Sequence, residues 1–459
     1  MRIGLLPLGR ATFDVAYAEA KLAAMLARLD ATGHAFCGPR TVLFDEDATR
    51  AALADLAAAD IDRLLILQVT FTDATAALDA AGLGVPLSIW AVPEPRAGGR
   101  LRLNAFCGLN LASHALGLKD RGFAWAYGDA ETLADEDLAG LLAGARRLQR
   151  PAATIPETRG PEGRRIAMSV SGRRIARIGD HPAGFDTCAY IPERLKSLAG
   201  VSVDEIALDR LFAEARAVPA DAVQAIRSRA EAELEDLAGV NQEELDRSLR
   251  LKAALSGLRE REGYDAFAIR CWPETFTEYG GAVCGPVSMM GEARVPCACE
   301  ADVYGALSQM ILQETADAPV FLTDLVDVDT ADDSAVIWHC GQAPVSMRDP
   351  DTPATAAIHT NRKMPLLYQF ALRPGRATLM RISQALGEPK MILAGAEMLK
   401  CPMAFTGTSG VLRFDRPAAK VLLDLIASGV EHHMAVTYGE HRPLLREVAA
   451  CLSLPVLDL

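Results

Sequence analysis

The chain opens on RIGLLP (2–7), a continuous apolar run ending near Gly9, which predicts a short buried strand. Apolar residues then recur at helical spacing, at Val15, Leu22, Met25, Leu26 and Leu29, and predict a helix over 13–29. RLLILQ (63–68) and PLSIWAV (86–92) predict two further strands, with helices over 51–58 and 74–81 around them. Wholly apolar strands alternating with helices over short loops argue for a parallel sheet covered by helices. Ligands of such sheets lie beyond the carboxyl ends of the strands. Those ends carry Leu8-Gly9-Arg10, Val69-Thr70-Phe71 and Val92-Pro93-Glu94. No G-x-G-x-x-G follows the first strand, so no nucleotide cofactor is expected.

The pattern changes at RPAATIPETRGPEGR (150–164), whose Pro, Gly and charge read as a linker. A second unit opens at Arg165, with a strand over 203–208 and a long charged helical region over 209–262. YDAFAIRC (264–271) reads as a strand running into Trp272-Pro273-Glu274. From residue 319 the runs shorten and turns multiply: VFLTD, AVIWHCG, ATLMRIS, KMILAGAEML, GVLRF and HHMAVTY predict antiparallel β-structure. A helix over 442–451 closes the pattern. The expected units are 1–155, 165–318 and 319–459.

A length of 459 residues fits two or three such units. The formal net charge of −13 argues against a nucleic-acid partner. The apolar stretch at the start is too short for a signal-peptide core. No apolar run approaches the ~18 residues of a membrane span, so no membrane partner and a cytoplasmic location are expected. The ten cysteines are dispersed, and in that setting are expected to be reduced and mostly buried. Cys297, Cys299 and Cys340 with His339 form a possible zinc set, but Cys-x-Cys is not the usual knuckle and no second knuckle follows.

The chemistry concentrates in the last third. In CACEADVYGALSQMI (297–311), Glu300 and Asp302 precede residues at helical spacing. Acids at a helix start are favoured by roughly 0.3–1 kcal/mol, which alone accounts for both. Asp324 ends an apolar run and can point into a cleft or sit in a solvated turn. His339 ends Ala335-Val-Ile-Trp and reads equally as a buried histidine bonded to backbone. His432 and His433 stand side by side in a chain with eight histidines, and strand alternation would let only one face a given cleft. Together these residues are an oxygen and nitrogen set suited to Mn2+ or Mg2+. Such a site could hold vicinal sugar oxygens and polarise a carbonyl, while two carboxylates carry a proton between neighbouring carbons.

Taken in order, RIGLLPLG, RIARIGDHPAGFD, RCWPE, CACEADVYGAL, PVFLTD, IWHCG and EHHMAV resemble the L-fucose isomerase / L-arabinose isomerase superfamily, in particular its fucose isomerase-like branch. The resemblance spans nearly the whole chain. It implies an α/β fold with two Rossmann-like domains before a C-terminal β-rich, antiparallel barrel-like domain. It implies an aldose–ketose isomerase acting through an enediol, with Mn2+ (or Mg2+ or another divalent cation) held by Glu300 and Asp324, which are also the catalytic acids. His433 is the favoured imidazole ligand, His432 its alternative and His339 a further candidate. Modified or sulfonated hexoses and deoxyhexoses are among the implied substrates, as is a homo-oligomer with its active site near a subunit interface. Arg10, Arg362 and Lys363 are cations that could meet an anionic sugar, and Trp90, Asn110, Ser113 and Trp272 are further candidate contacts. The competing class is a non-catalytic sugar-binding protein on the same fold. A cysteine enzyme using Cys299 or Cys340 ranks last, for want of a nucleophile context.

Overall fold

The computed structural model describes residues 1–145 and 150–459. Three sheets succeed one another along the chain. The first holds β1 (Arg2–Leu8), β2 (Ala35–Cys37), β3 (Arg63–Gln68), β4 (Leu87–Ala91) and β5 (Phe123–Tyr127). Its order is β2-β1-β3-β4-β5, parallel throughout. The helix expected over 13–29 runs Val15–Asp30 and is started by Asp14, whose side chain accepts the Tyr17 N–H at 3.2 Å. It turns Leu22, Met25, Leu26 and Leu29 onto the sheet, the face that the spacing predicts.

The second sheet is β6 (Arg174–Ile178), β7 (Ser202–Ile206), β8 (Ala266–Ile269) and β9 (Cys297–Cys299), in the parallel order β7-β6-β8-β9. The charged region over 209–262 divides into helices Leu208–Ala217, Ala220–Glu233 and Gln242–Glu262. Pro219 and the Asp236–Gly239 turn interrupt it, each costing a helix its backbone continuity. The end of the expected linker is helical, because Pro161 starts the helix Pro161–Val170.

The third sheet has nine strands: β10 (Phe321–Asp329), β11 (Ser334–His339), β12 (Thr355–Ala357), β13 (Leu367–Ala371), β14 (Gly375–Ser383), β15 (Lys390–Met398), β16 (Thr408–Phe414), β17 (His433–Tyr438) and β18 (Val456–Asp458). It is mixed rather than wholly antiparallel, since β13 pairs with β16 and β15 with β18 in parallel. β15 also pairs with β16, so the run β16-β11-β10-β17-β14-β15 returns to its first strand. The closing helix Arg442–Cys451 is followed by β18, which the sequence reading omits. Buried Asp327 on β10 binds the first sheet to the third, accepting from Arg96 at 2.7 Å and from the Tyr127 hydroxyl at 2.5 Å. Among the described residues no helix is long and apolar enough to cross a membrane.

Candidate active site

The carboxyl ends of the two parallel sheets open onto one cavity, lined also by β10, β11 and the turn before β17. Its wall includes Arg10, Phe71, Phe185, Trp272, Glu300, Asp324, His339, Arg362 and His432. Glu300 reaches it through a tight turn. Glu300 and Ala301 both take left-handed backbone, with φ of 58° and 56°, between the end of β9 and the helix Val303–Ala316. That reversal sends Glu300 into the cavity and Asp302 into the core, where Asp302 caps the helix by accepting the Gly305 N–H at 2.8 Å.

β8 and β9 are parallel neighbours, so the residues beyond their ends meet. Trp272 Nε1–H donates to Glu300 Oε1 at 3.0 Å. The residues just before them, Cys271 past the end of β8 and Cys299 at the end of β9, are joined by a disulfide, which corrects the expectation of reduced thiols for this pair. With Cys299 so engaged, the Cys297, Cys299, Cys340 and His339 set does not assemble. The possible ion-holding groups among the described residues are instead Cys188, Glu300, His432 and His433, and Asp324, His339 and His433.

Asp324 lies within β10 rather than at its end, directly across from His433 of β17. Its Oδ1 is 3.4 Å from His433 Nε2 and 4.0 Å from His432 Nε2. Glu300 Oε2 is 2.9 Å from His432 Nε2 and 3.8 Å from His433 Nε2. Both histidines therefore face the same cluster, against the alternation argument. That argument holds inside a strand, and β17 begins at His433, leaving His432 in the preceding turn. The two rings are 4.0 Å apart. His339, the last residue of β11, stacks 5.6 Å from the His433 ring.

The environment splits the two acids. Burial alone would raise the Glu300 carboxyl, but the His432 hydrogen bond, the His432 and His433 charges and the Trp272 N–H hold it at about 2. Burial pushes Asp324 up to about 6, against the pull of His433 and His432 and with a further push from Glu300. Asp324 Oδ1, His433 Nε2 and His339 Nε2 are buried with no protein partner. Each of the three residues also offers a ligand atom within 4.8 Å of those of the other two. Leaving three converging polar atoms unsatisfied is costly unless a ligand takes them. A divalent cation fits the carboxylate and an imidazole of this set, and its charge would return Asp324 to the ionised state.

Beyond the acids and imidazoles the cavity wall is aromatic and cationic. The Arg10 guanidinium lies 5.2 Å from the Phe71 ring and 5.6 Å from the Trp272 ring, and pairs with Asp73. Arg362 lies 5.2 Å over Trp272. Burial lowers its pKa, and no carboxylate pairs with it among the described residues. Lys363 is exposed and stands outside this wall. Trp90 is wholly buried in the first sheet, donating to the Gly128 carbonyl at 2.9 Å, and is core. Asn110 and Ser113 are likewise core, bonded to the Val430 carbonyl at 2.5 Å and to the Asn110 carbonyl at 2.8 Å. These corrections share a cause: a polar or aromatic group on a fully buried element is satisfied locally as readily as by a ligand.

Sequence reasoning missed Phe71, Phe185 and Arg381. Arg381 is fully buried on β14 and forks onto Asp302 at 2.7 and 3.1 Å. The signal was present, since one arginine inside the apolar ATLMRIS needs a buried acid.

Residues 4–148 match the family model described as the fucose/sulfoquinovose isomerase N-terminal domain. Over 451 residues the chain is 30% identical to the sulfoquinovose isomerase of Priestia aryabhattai, covering 98% of this chain and 97% of that one. It is 28% identical over 460 residues to the sulfoquinovose isomerase of Alkalicoccus urumqiensis, covering 99% and 98% of the two chains. For that of Clostridium sp. (strain MSTE9) the figures are 29% over 463 residues, 99% and 98%. With a relative this similar matched end to end, and an acid and histidine cluster in the wall of one cavity, the chain belongs to the fucose/sulfoquinovose isomerase family and is an isomerase.

Proposed function

We propose that this protein is a divalent-cation-dependent aldose–ketose isomerase whose substrate is a sulfonated hexose such as sulfoquinovose. The observation carrying the reading is the lining of one cavity, where carboxylates and imidazoles share the wall with two arginines over Trp272. Full-length similarity to sulfoquinovose isomerases supports the same substrate class.

Glu300, Asp324 and His433 would hold the cation, which is Mn2+ or Mg2+ by donor type and would supply Lewis acidity towards the sugar's carbonyl oxygen. The two carboxylates move the proton. One accepts the C2 proton as its electron pair shifts into the C1–C2 bond and the carbonyl pair moves onto O1, giving the enediolate. The same proton is delivered to C1 while the C2 hydroxyl proton passes through the pair to O1, leaving the 2-ketose. Trp272 fixes one oxygen of Glu300, so that carboxylate presents a single orientation. Phe185, 5.4 Å from Trp272 and 5.9 Å from His432, keeps water from the reacting carbons. Arg362, and Arg10 steadied by Asp73, receive the sulfonate.

The test is proton exchange followed by NMR in deuterated water, with sulfoquinovose and added Mn2+. Deuterium enters the substrate at C2 and the ketose appears. Glu300→Gln and Asp324→Asn each abolish both signals in a folded protein. Full turnover in either variant overturns the assignment of the acids.

A further inference from the structure

A neutral imidazole offers a lone pair from one ring nitrogen and a proton from the other, and the partner of the far nitrogen decides which. At His433 the far nitrogen, Nδ1, lies 2.9 Å from Asp302 Oδ2. Asp302 is wholly buried and collects donors: the Gly305 N–H at 2.8 Å and the Arg381 fork at 2.7 and 3.1 Å. It acts purely as an acceptor, so Nδ1 carries the proton. Nε2, 3.4 Å from Asp324, presents a bare lone pair.

At His339 the sense is reversed. Its Nδ1 lies 2.8 Å from the backbone N–H of Cys340. A backbone amide can only donate, so Nδ1 holds the lone pair and Nε2 the proton. That Nε2–H is buried without a protein acceptor, on a ring that stacks 5.6 Å from His433. Turning it into a ligand would move the proton to Nδ1, against the Cys340 N–H. His432 is also committed, through Nε2 to Glu300 at 2.9 Å.

We propose that these backbone and carboxylate contacts give the histidines opposite roles. His433 is the imidazole ligand of the cation, with Asp302 as its positioning residue. His339 is not a ligand but touches the substrate, donating Nε2–H to a sugar oxygen on the C1–C2 unit. A donor there stabilises the charge that grows on that oxygen as the C2 proton leaves. The inference rests on the cation site proposed above and sorts the residues within it.

The native protein decides the tautomers. In 15N-histidine-labelled, cation-free protein, the His433 signals are those of the Nδ1–H form and the His339 signals those of the Nε2–H form, each assigned by its His→Gln variant. The opposite tautomer at either position overturns the proposal, whatever the variants do. Mn2+ titration by electron paramagnetic resonance then separates the roles. His433→Gln loses most of the affinity. Asp302→Asn keeps a helix-capping oxygen but turns an amide N–H towards Nδ1, and weakens Mn2+ binding by about 10–100-fold. That effect vanishes in the His433→Gln background, which a merely structural role of Asp302 would not produce. His339→Phe leaves Mn2+ affinity within about threefold while kcat falls by roughly 10²–10³-fold, and His339→Gln, which keeps a donor, recovers part of the rate. Equal loss of Mn2+ in the His339 and His433 variants overturns the division of roles. Undiminished Mn2+ binding in His433→Gln overturns the cation site itself, a distinct result.

Discussion

Arg362→Gln isolates recognition of the anion from the reaction. Arg362 is a half-buried cation over Trp272, and no carboxylate pairs with it among the described residues. A sulfonate about 4 Å away would be attracted by about 4 kcal/mol at an effective dielectric near 20. The side chain is partly open to solvent, and water refills the space it leaves, so about 2–3 kcal/mol of that is expected to be lost on substitution. The result is a fall of about 30- to 150-fold in kcat/KM on the sulfonated sugar. The assay compares that substrate with its unsulfonated 6-deoxy analogue under the same cation. The analogue has no anion to lose, and its kcat/KM should be unchanged. Equal losses on both sugars would refute the reasoning, because they would place Arg362 in folding or in the reaction. Arg10→Gln is expected to cost the sulfonated sugar at least as much, since it also leaves Asp73 unpaired in the cavity wall.

Three other outcomes follow from the geometry. Trp272→Phe keeps a ring beneath both arginines but removes the donor to Glu300. It should lower kcat/KM by about 10–100-fold with little change in Tm, matching a charge-assisted bond of about 1.5–3 kcal/mol. Removal of divalent cations with EDTA should lower Tm, and Mn2+ at about 100 times its Kd should restore about 2.7 kcal/mol, as a ligand of the folded chain must; an unmoved Tm contradicts the site. Glu94 is buried, and burial, opposed by the N–H groups of Asn104, Arg102 and Leu103 and aided by Asp327, raises its pKa from 4.5 to about 7. The folded chain thus binds this proton more tightly than the unfolded one. The stabilisation is full below about pH 4.5 and is lost as pH rises through about 7, and Glu94→Gln should flatten that slope in thermal melts.

Strands β1, β3 and β4 of the first sheet were legible because each is a nearly continuous apolar run, while β2 and β5 were not read. Of the third sheet, six of nine strands were legible one by one, and β12, β13 and β18 were not. Its parallel pairings join segments far apart in the chain, and no local pattern encodes them. Among candidate site residues, Glu300 and Asp324 were singled out because chemistry and resemblance agreed on them, and both line the cavity. Trp90 and Asn110 misled because a buried polar atom has the same local sequence whether backbone or ligand satisfies it. Asp302 was read as a helix cap, which it is; its second engagement, with His433 and Arg381, depends on strands about 80 and 130 residues further on. The Cys271–Cys299 pairing was hidden for the same reason, since it depends on β8 and β9 lying side by side.

The left-handed pair Glu300–Ala301 makes one short turn serve two masters. The same reversal aims Glu300 at the cavity and Asp302 at His433, so an insertion or deletion between β9 and the following helix would disturb both at once. The arginines over Trp272 come from different segments, after β1 and after β12, and owe nothing to that turn. On the proposed reading the chemistry is a fixed unit and the grip on the far end of the sugar is a replaceable one. Descendants of this chain could then exchange one substrate for another through loop substitutions alone, leaving the reaction they perform on it untouched.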